Sequence, residues 1–340
     1  MDLAFLKKLS EASGVSGREE EVRELLRPEV EKRFPEVHVD AMGSLIATKK
    51  AVDADAKKVI FACHIDEIGF YVRHVDDKGF CRIQNAGGFD TRNLFARRVK
   101  VRTATGDMVG LLNPAGRPIH IAKEEEKKKV PEMSEFTIDF GLPGEVVKEK
   151  VRIGDPVTLV QTFDEIGEVV SGKCLDNRVA AFVVLEAMKK CKPKYHVTLA
   201  CTVQEEVGLR GAGPAAWAVE PDIAVAVDTT LCVDTPDVPE HERVNVQGAG
   251  VSIKIMDGST IGHRGLIDTF LDVAKAKGIP HQLSILPRGG TDAGAMQRLR
   301  AGVPTAILAV PTRYIHTVTE SIHKRDLQAT IDLIAAWLEA

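Results

Sequence analysis

Two hydrophobic patterns alternate along the 340-residue chain. Short continuous apolar runs, which are typical of strands buried in a parallel sheet, lie at 59–63, 197–203, 223–227 and 305–310. Helical spacing of apolar positions marks other stretches, at 22–30, 179–190, 266–274 and 331–338. The chain therefore predicts an α/β fold, with helices on both faces of a central mixed, mostly parallel sheet.

The pattern changes between about residues 72 and 162. Short alternating segments are separated there by glycine-containing turns such as Thr105-Gly106-Asp107, and no strong helical pattern occurs. Such spacing is typical of a small β-barrel or sandwich. Because α/β sequence lies on both sides, we predict one discontinuous α/β domain of residues 1–71 and 163–340, interrupted by a β-rich, barrel-like insert at 72–162.

The amino-terminal part predicts two helices. A short helix covers residues 2–12, and Ser16-Gly17-Arg18-Glu19 has the spacing of a capping box, in which a serine and a glutamate satisfy the first turn of a helix. We therefore expect Ser16 and Glu19 to open the second helix, and Pro28 to kink it.

Composition and charge exclude several classes of function. The net charge of −4 gives no electrostatic basis for binding nucleic acid or an anionic membrane. No run approaches the ~18 apolar residues that a membrane span needs, and the first residues lack the apolar core of a signal peptide. The six cysteines form no C-x-x-C pair. We therefore expect a cytoplasmic protein with reduced cysteines.

Several apolar strands end in, or run toward, a residue that can bind metal. These residues are His64, Glu206, Asp228 and His316, and Asp176 lies where a loop enters a helix. An open α/β sheet places its chemistry at the carboxyl ends of its strands, so these side chains should converge. Two imidazoles and three carboxylates suit zinc, cobalt or manganese, with at most two ions sharing one bridging carboxylate.

Two further carboxylates stand beside these residues. Asp66 follows His64 by two positions and can accept the second ring N–H of that histidine. Glu205 precedes Glu206 at the end of a strand, where alternation predicts that the two side chains point to opposite faces. Each residue also has an ordinary interpretation, as a surface histidine, a helix N-cap or a solvated pair. The joint arrangement favours a metal site.

Other chemistries have less support. There is no G-x-S-x-G elbow and no Walker sequence. Gly289-Gly290 either brings a backbone close to a substrate or forms a turn in which Asp292 caps a helix. His263 begins a helix and could face the site.

Six blocks of sequence resemble a known family, in order along nearly the whole chain. They read CHIDEIG (63–69), LDNR (175–178), QEEVG (204–208), AVDT (226–229), GGTDAG (289–294) and RYIHT (313–317). They resemble the dinuclear-metal aminopeptidases that assemble as tetrahedral dodecamers, the TET family, which includes glutamyl, leucyl and deblocking aminopeptidases and relatives labelled endoglucanases. One departure is visible, because similar sequences often carry a lysine between two glycines where this chain has Gln247-Gly248-Ala249-Gly250.

The resemblance implies two divalent ions per subunit and a set of ligands for each ion. Asp176 would bridge the ions, which would be zinc, with cobalt or manganese as alternatives. His64 and Asp228 would complete the shell of one ion, and Glu206 and His316 that of the other.

The resemblance also implies catalytic and assembly roles. Glu205 would be the general base for a water held between the ions, and Asp66 would orient His64. The substrates would be peptides with a free amino terminus. The insert at 72–162 would be a dimerisation domain, and dimers would build a dodecamer.

Three alternatives stay open. Another di-metal amidohydrolase, a carboxypeptidase or deacylase, would need a cation for a substrate carboxylate, for which Arg264 and Arg288 are the candidates. A glycosidase is disfavoured because Glu205 and Glu206 are adjacent on one predicted strand, which is poor geometry for flanking a glycosidic bond. A metal-binding scaffold would bind metal without turnover.

Overall fold

The structure is a computed structural model that describes residues 1–340. Its helices are α1 (Leu3–Glu11), α2 (Glu20–Glu31), α3 (Glu124–Lys127), α4 (Gly144–Lys150), α5 (Leu175–Met188), α6 (Ala212–Val219), α7 (Arg264–Lys277), α8 (Ala293–Gln297) and α9 (Lys324–Glu339). Its strands are β1 (Glu36–Val39), β2 (Leu45–Lys49), β3 (Lys58–His64), β4 (Gly69–Val75), β5 (Cys81–Ala86), β6 (Arg97–Thr103), β7 (Gly106–Pro114), β8 (Phe136–Asp139), β9 (Pro156–Leu159), β10 (Asp164–Ile166), β11 (Val169–Gly172), β12 (His196–Thr202), β13 (Ile223–Leu231), β14 (Val251–Met256), β15 (His281–Ile285), β16 (Thr305–Arg313) and β17 (Glu320–His323).

An 11-stranded mixed sheet carries the larger unit. Its central strands lie in the order β12–β3–β13–β16 and pair in parallel. Flanking pairs such as β2–β12 and β16–β17 are antiparallel. The four continuous apolar runs of the sequence form these central strands, because a strand covered on both faces needs apolar residues at every position. The predicted α/β class is confirmed.

Helices cover both faces of this sheet, and the strand residues alternate between them. Phe61 and Leu199 belong to the larger core, which they share with α1, α2, α5, α7 and α9. Their neighbours Ile60 and Ala200 belong to a smaller core under α6 and α8. This period of two along each strand gives the α/β/α layering.

The smaller unit is a closed barrel of six antiparallel strands in the order β4-β5-β8-β7-β6-β9. It has its own apolar core, which includes Phe70, Val99 and Phe136. Its strands run from Gly69 to Leu159. The same stretch contains α3 and α4, which have only 4 and 7 residues and are too short to show a helical period.

The capping-box expectation for the amino-terminal segment is wrong. Helix α2 begins at Glu20, its N-cap is Glu19, and no side chain caps it. The Ser16 hydroxyl instead donates to Asp66, and the Glu19 carboxylate accepts from the backbone N–H groups of Gly17 and Gln204. Ser16 therefore contacts a residue 50 positions away, and Glu19 contacts one that is 185 positions away as well as its neighbour Gly17.

All six cysteines are buried and none forms a disulfide. No helix combines the length and the apolar character that crossing a membrane requires.

Candidate metal centre

The predicted site residues meet at one edge of the sheet. Strand β3 ends at His64, and the neighbouring β13 pairs with β3 only as far as Ala226. Beyond that point β13 continues along β16 to Leu231. Asp228 is therefore inside a strand, and the prediction that the strand ends there is wrong. Because β3 ends at His64 while β16 continues beside β13, a crevice opens beside Asp228.

One half of the site surrounds His64. Its Nε2 atom lies 3.4 Å from Asp176 Oδ1, 3.8 Å from Asp228 Oδ1 and 3.8 Å from Glu205 Oε2. Its side chain is 3% exposed. One ligand atom each from His64, Glu205 and Asp228 lie within 4.8 Å of one another, which is close enough to hold one ion. We call this group the buried half.

The other half surrounds His316, whose side chain is 35% exposed. Its Nε2 atom lies 3.4 Å from Asp176 Oδ2 and 3.4 Å from Glu206 Oε2. Its Nδ1 atom lies 3.0 Å from the Gly88 carbonyl. A carbonyl only accepts, so Nδ1 carries the proton and Nε2 is left as a ligand. We call this group the exposed half.

Asp176 lies between the halves, with one oxygen toward each histidine. Its backbone leaves the helical region at the start of α5, and its carboxylate caps no helix N–H. Glu320 holds it in place, since Glu320 Oε2 accepts from the Asp176 N–H and Oε1 from the His316 N–H, both at 3.0 Å. Sequence reasoning missed Glu320, which is 2% exposed at the start of β17.

The Glu205–Glu206 pair lies in a turn, and the prediction that its side chains point to opposite faces is wrong. Strand β12 ends at Thr202, and Gln204 has a φ of 57°. This left-handed residue breaks the alternation, so both carboxylates line the same cavity. Asp66 Oδ1 lies 3.4 Å from His64 Nδ1, so the predicted pair is brought together.

The electrostatics of the cluster favour a bound cation. Burial raises the pKa of Glu205 well above its usual range, with the charges of other carboxylates adding to the effect and His64 opposing it. Burial likewise raises the pKa of Asp228 to about 8. Burial would lower the pKa of His316, but Asp176 and Glu206 outweigh it and raise that pKa to about 11. Several carboxylates that are buried together require a compensating positive charge nearby. Imidazole and carboxylate donors fit a divalent zinc-like ion.

A cavity of about 680 Å³ opens onto both halves. Gly289 and Gly290 line it, and a Cβ at Gly290 would meet Ser259 at 2.8 Å. Asp292 caps no helix N–H and instead accepts from the buried Thr202 hydroxyl. Gly289 has a φ of 86°, as a tight turn requires, and Asp292 occupies the N-cap position of α8 without a side-chain cap. The approach of this backbone to a substrate stays a prediction.

Lys254 also lines this cavity and is 1% exposed, within β14. Sequence reasoning missed it. The available signal was a lysine among the apolar residues of V-S-I-K-I-M.

Two of the other candidates, His263 and Arg264, do not line the cavity. His263 accepts from the Leu266 N–H and caps α7, and Arg264 pairs with Asp268, whereas Arg288 does line the cavity. Ala249, which lies between Gly248 and Gly250 where similar sequences often carry a lysine, is exposed and does not line the cavity.

The α/β fold and the histidine–carboxylate cluster define a metal-dependent hydrolase. The chain belongs to the M42 glutamyl aminopeptidase family, whose sequence profile matches residues 43–333. It is 32% identical over 352 aligned positions to the lysyl aminopeptidase of Pyrococcus furiosus, an alignment that covers 100% of this chain and 97% of that protein.

Solved structures agree with this assignment. A TET aminopeptidase from a marine sediment archaeon of the Thaumarchaeota superposes with a TM-score of 0.94 at 34% identity, covering 98% of this chain and 95% of that one. The Pyrococcus horikoshii TET1 peptidase, which can assemble into a tetrahedron or a large octahedral shell, superposes with a TM-score of 0.87 at 32% identity over 99% of this chain and 98% of that one. The predicted family and the general function of a metallo-aminopeptidase are confirmed.

Proposed function

We propose that this protein removes the amino-terminal residue from short peptides, using two divalent ions held by the buried and exposed halves. The observation that carries the proposal is the position of Asp176, whose two oxygens each lie 3.4 Å from a different histidine Nε2. One carboxylate shared between two ligand sets is what a bridging ligand requires. When bound, such ions supply a water of lowered pKa and polarise the peptide carbonyl.

The remaining ligands divide between the halves. In the buried half, His64 and Asp228 bind the ion and Glu205 stays free to act on the water. In the exposed half, Glu206 and His316 bind the ion. Zinc suits these nitrogen and oxygen donors, and cobalt and manganese are the alternatives.

Glu205 is the general base in this proposal. It is buried among carboxylates, which raises its pKa toward the range where a group can both take and return a proton. Glu205 takes the proton of the attacking water and passes it to the leaving amine. Asp66 contributes by orienting His64 and by accepting the Glu205 backbone N–H at 3.0 Å.

The geometry leaves one competing role for Glu205. Its ligand oxygen also groups with those of His64 and Asp228, so it could bind an ion instead. Removing its charge while measuring metal content separates the two roles.

The free amino group of a peptide fits a cavity whose floor is rich in carboxylates. Self-association is part of the proposal, with the barrel-like insert at 72–162 forming dimers that build a dodecamer. The exposed Val109 and Leu111 on β7, at 63% and 51%, support a contact surface there. A cytoplasmic location fits the six free, buried cysteines.

The test is hydrolysis of one short peptide in free and N-acetylated forms, with added zinc, cobalt or manganese and with a chelator. We expect metal-dependent release of the first residue from the free form alone. Cleavage of both forms, or from the carboxyl end, would favour a different amidohydrolase. Retention of two ions without any cleavage would favour the scaffold alternative.

A further inference from the structure

Three consecutive backbone N–H groups hold the turn that carries the base and a ligand. The Gln204 N–H donates to Glu19 Oε1 at 3.2 Å. The N–H groups of Glu205 and Glu206 donate to Asp66 Oδ1 and Oδ2, at 3.0 and 3.2 Å. Glu19 and Asp66 are 5% and 0% exposed, so water does not compete for these bonds. The turn is therefore located by two buried carboxylates.

The Asp66 carboxylate is itself fixed by a hydroxyl from the amino-terminal segment. The Ser16 Oγ donates to Asp66 Oδ2 at 2.6 Å, which is a short, charge-assisted hydrogen bond. Bonds to both oxygens prevent the carboxylate from rotating. Its Oδ1 atom then stays toward His64 Nδ1, at 3.4 Å.

Ser16 is held from two sides. The Tyr71 hydroxyl, on β4 of the barrel, donates to the Ser16 carbonyl at 2.6 Å. Just before it, Gly14 exchanges two hydrogen bonds with Glu67, with its N–H donating to the carboxylate at 2.8 Å and its carbonyl accepting the Glu67 N–H at 2.9 Å. Hydrogen bonds therefore hold the segment that carries Ser16 between the barrel and the loop after β3. We call Ser16 and Glu19 the amino-terminal clamp.

We propose that Ser16 is a positioning residue for the aminopeptidase reaction, acting through Asp66 on Glu205 and His64. The inference rests on the proposed function, in which Glu205 is the base. Ser16 lies outside residues 43–333, where the family profile matches, and it does not line the cavity. Losing its hydroxyl should therefore lower kcat and leave KM nearly unchanged.

The central comparison is between Ser16→Ala and Ser13→Ala. Ser13 lies on the same segment and is equally buried, at 5%, but its hydroxyl pairs with Thr158 of the barrel at 3.1 Å. We expect S16A to lower kcat about tenfold with KM within about twofold, and S13A to stay within about twofold in both. Equal kinetics for the two variants would overturn the proposal.

Two further variants separate the hydroxyl from the packing at this position. Threonine and valine side chains have nearly the same shape, so Ser16→Thr and Ser16→Val differ mainly in that only threonine keeps the hydroxyl donor. We expect S16T to retain most of the kcat that S16V loses, which also covers the case in which S16A fails to fold. Equal kcat for S16T and S16V would contradict a role for the hydroxyl.

A double-mutant cycle tests whether Ser16 acts through Asp66. In an Asp66→Asn background, S16A should cause little further loss, because the acceptor it orients is already changed. A full, additive loss would show that Ser16 acts by another route and would overturn the assignment.

A spectroscopic readout separates this proposal from the proposed function. The visible absorption of the cobalt-loaded protein reports ligand geometry without turnover. We expect S16A, but not S13A, to change this spectrum. If the wild type cleaves no peptide, the proposed function fails, while the difference in spectra still supports the clamp; identical spectra for all three proteins would reject it.

Discussion

The two halves of the candidate metal centre are built on different parts of the fold. His64 ends a central strand, and its side chain is 3% exposed. His316 lies in the loop after β16, with a φ of 62° and a side chain that is 35% exposed. The sheet core positions the first histidine, whereas loop contacts, including the bond to Gly88, position the second. We therefore expect the buried half to hold its ion more firmly.

Two buried carboxylates nevertheless hold the backbone of residues that belong to both halves. Asp66 accepts the backbone N–H groups of Glu205 and Glu206, and Glu320 accepts those of Asp176 and His316. A buried carboxylate that accepts backbone N–H groups helps to fix the turn or loop that carries them. The two carboxylates differ in their own support, since Ser16 of the amino-terminal clamp donates to Asp66 and not to Glu320.

The largest expected effect comes from the residue that the two halves share. Asp176→Ala should lose both ions and all measurable turnover, because each half loses a ligand. Metal analysis after gel filtration, together with peptide hydrolysis, checks this. Asp228→Ala is the matched control and should lose only the ion of the buried half. An Asp176→Ala protein that keeps two ions would show that no shared ligand exists.

Substitutions of the adjacent Glu205 and Glu206 should distinguish a general base from a metal ligand. Glu205→Gln should keep both ions and lose about 10²–10⁴-fold in kcat, the usual contribution of a general base. Glu206→Gln should lose the ion of the exposed half. Metal content and kcat, measured on the same preparations, distinguish the two. Loss of an ion in Glu205→Gln would make Glu205 a ligand instead.

Removal of metal should distinguish the two halves by the rate at which each releases its ion. A chelator should release two ions in two phases, the exposed half first. Glu320→Ala should weaken binding in the exposed half by about 10–100-fold, as expected when a group orienting a ligand is removed. Stopped-flow release from the cobalt-loaded protein measures both phases. A single phase, unaffected by Glu320→Ala, would show that the halves do not differ.

The smallest expected effect concerns the support of the buried half. Burial raises the pKa of Glu19 from 4.5 to about 7, although backbone N–H groups oppose the shift. Between these values the folded protein binds more protons than the unfolded chain, so stability falls as pH rises from 4.5 through 7. Glu19→Gln should reduce this pH-dependent decrease in the free energy of unfolding by about 1–3 kcal/mol. Urea unfolding of metal-free protein at acidic and mildly alkaline pH measures it, and parallel curves for both proteins would contradict it.

Local patterns predict much of the fold and many of the residues that meet in the candidate site. The apolar runs located the four central strands because burial on both faces leaves a signal at every position. Residues beyond their carboxyl ends, such as His64 and His316, could then be grouped from topology alone. Asp66 followed from its spacing to His64, which a short extended segment preserves.

Contacts between distant segments could not be predicted in this way. Ser16 and Glu19 have the spacing of a capping box, yet their partners lie 50 and 185 residues away. The left-handed φ of Gln204 has no glycine to mark it, so the sequence predicts the end of a strand where the structure has a turn. Glu320, a buried charge at the start of a strand, left no periodic signal.

The most direct test of the account is anomalous scattering from crystals grown with cobalt. We expect two peaks, about 3.5–4 Å apart, on either side of the Asp176 carboxylate. At limiting cobalt, the peak beside His64 and Asp228 should be the stronger. A single peak, or two peaks that do not share Asp176, would contradict the two-ion centre on which the proposed function depends.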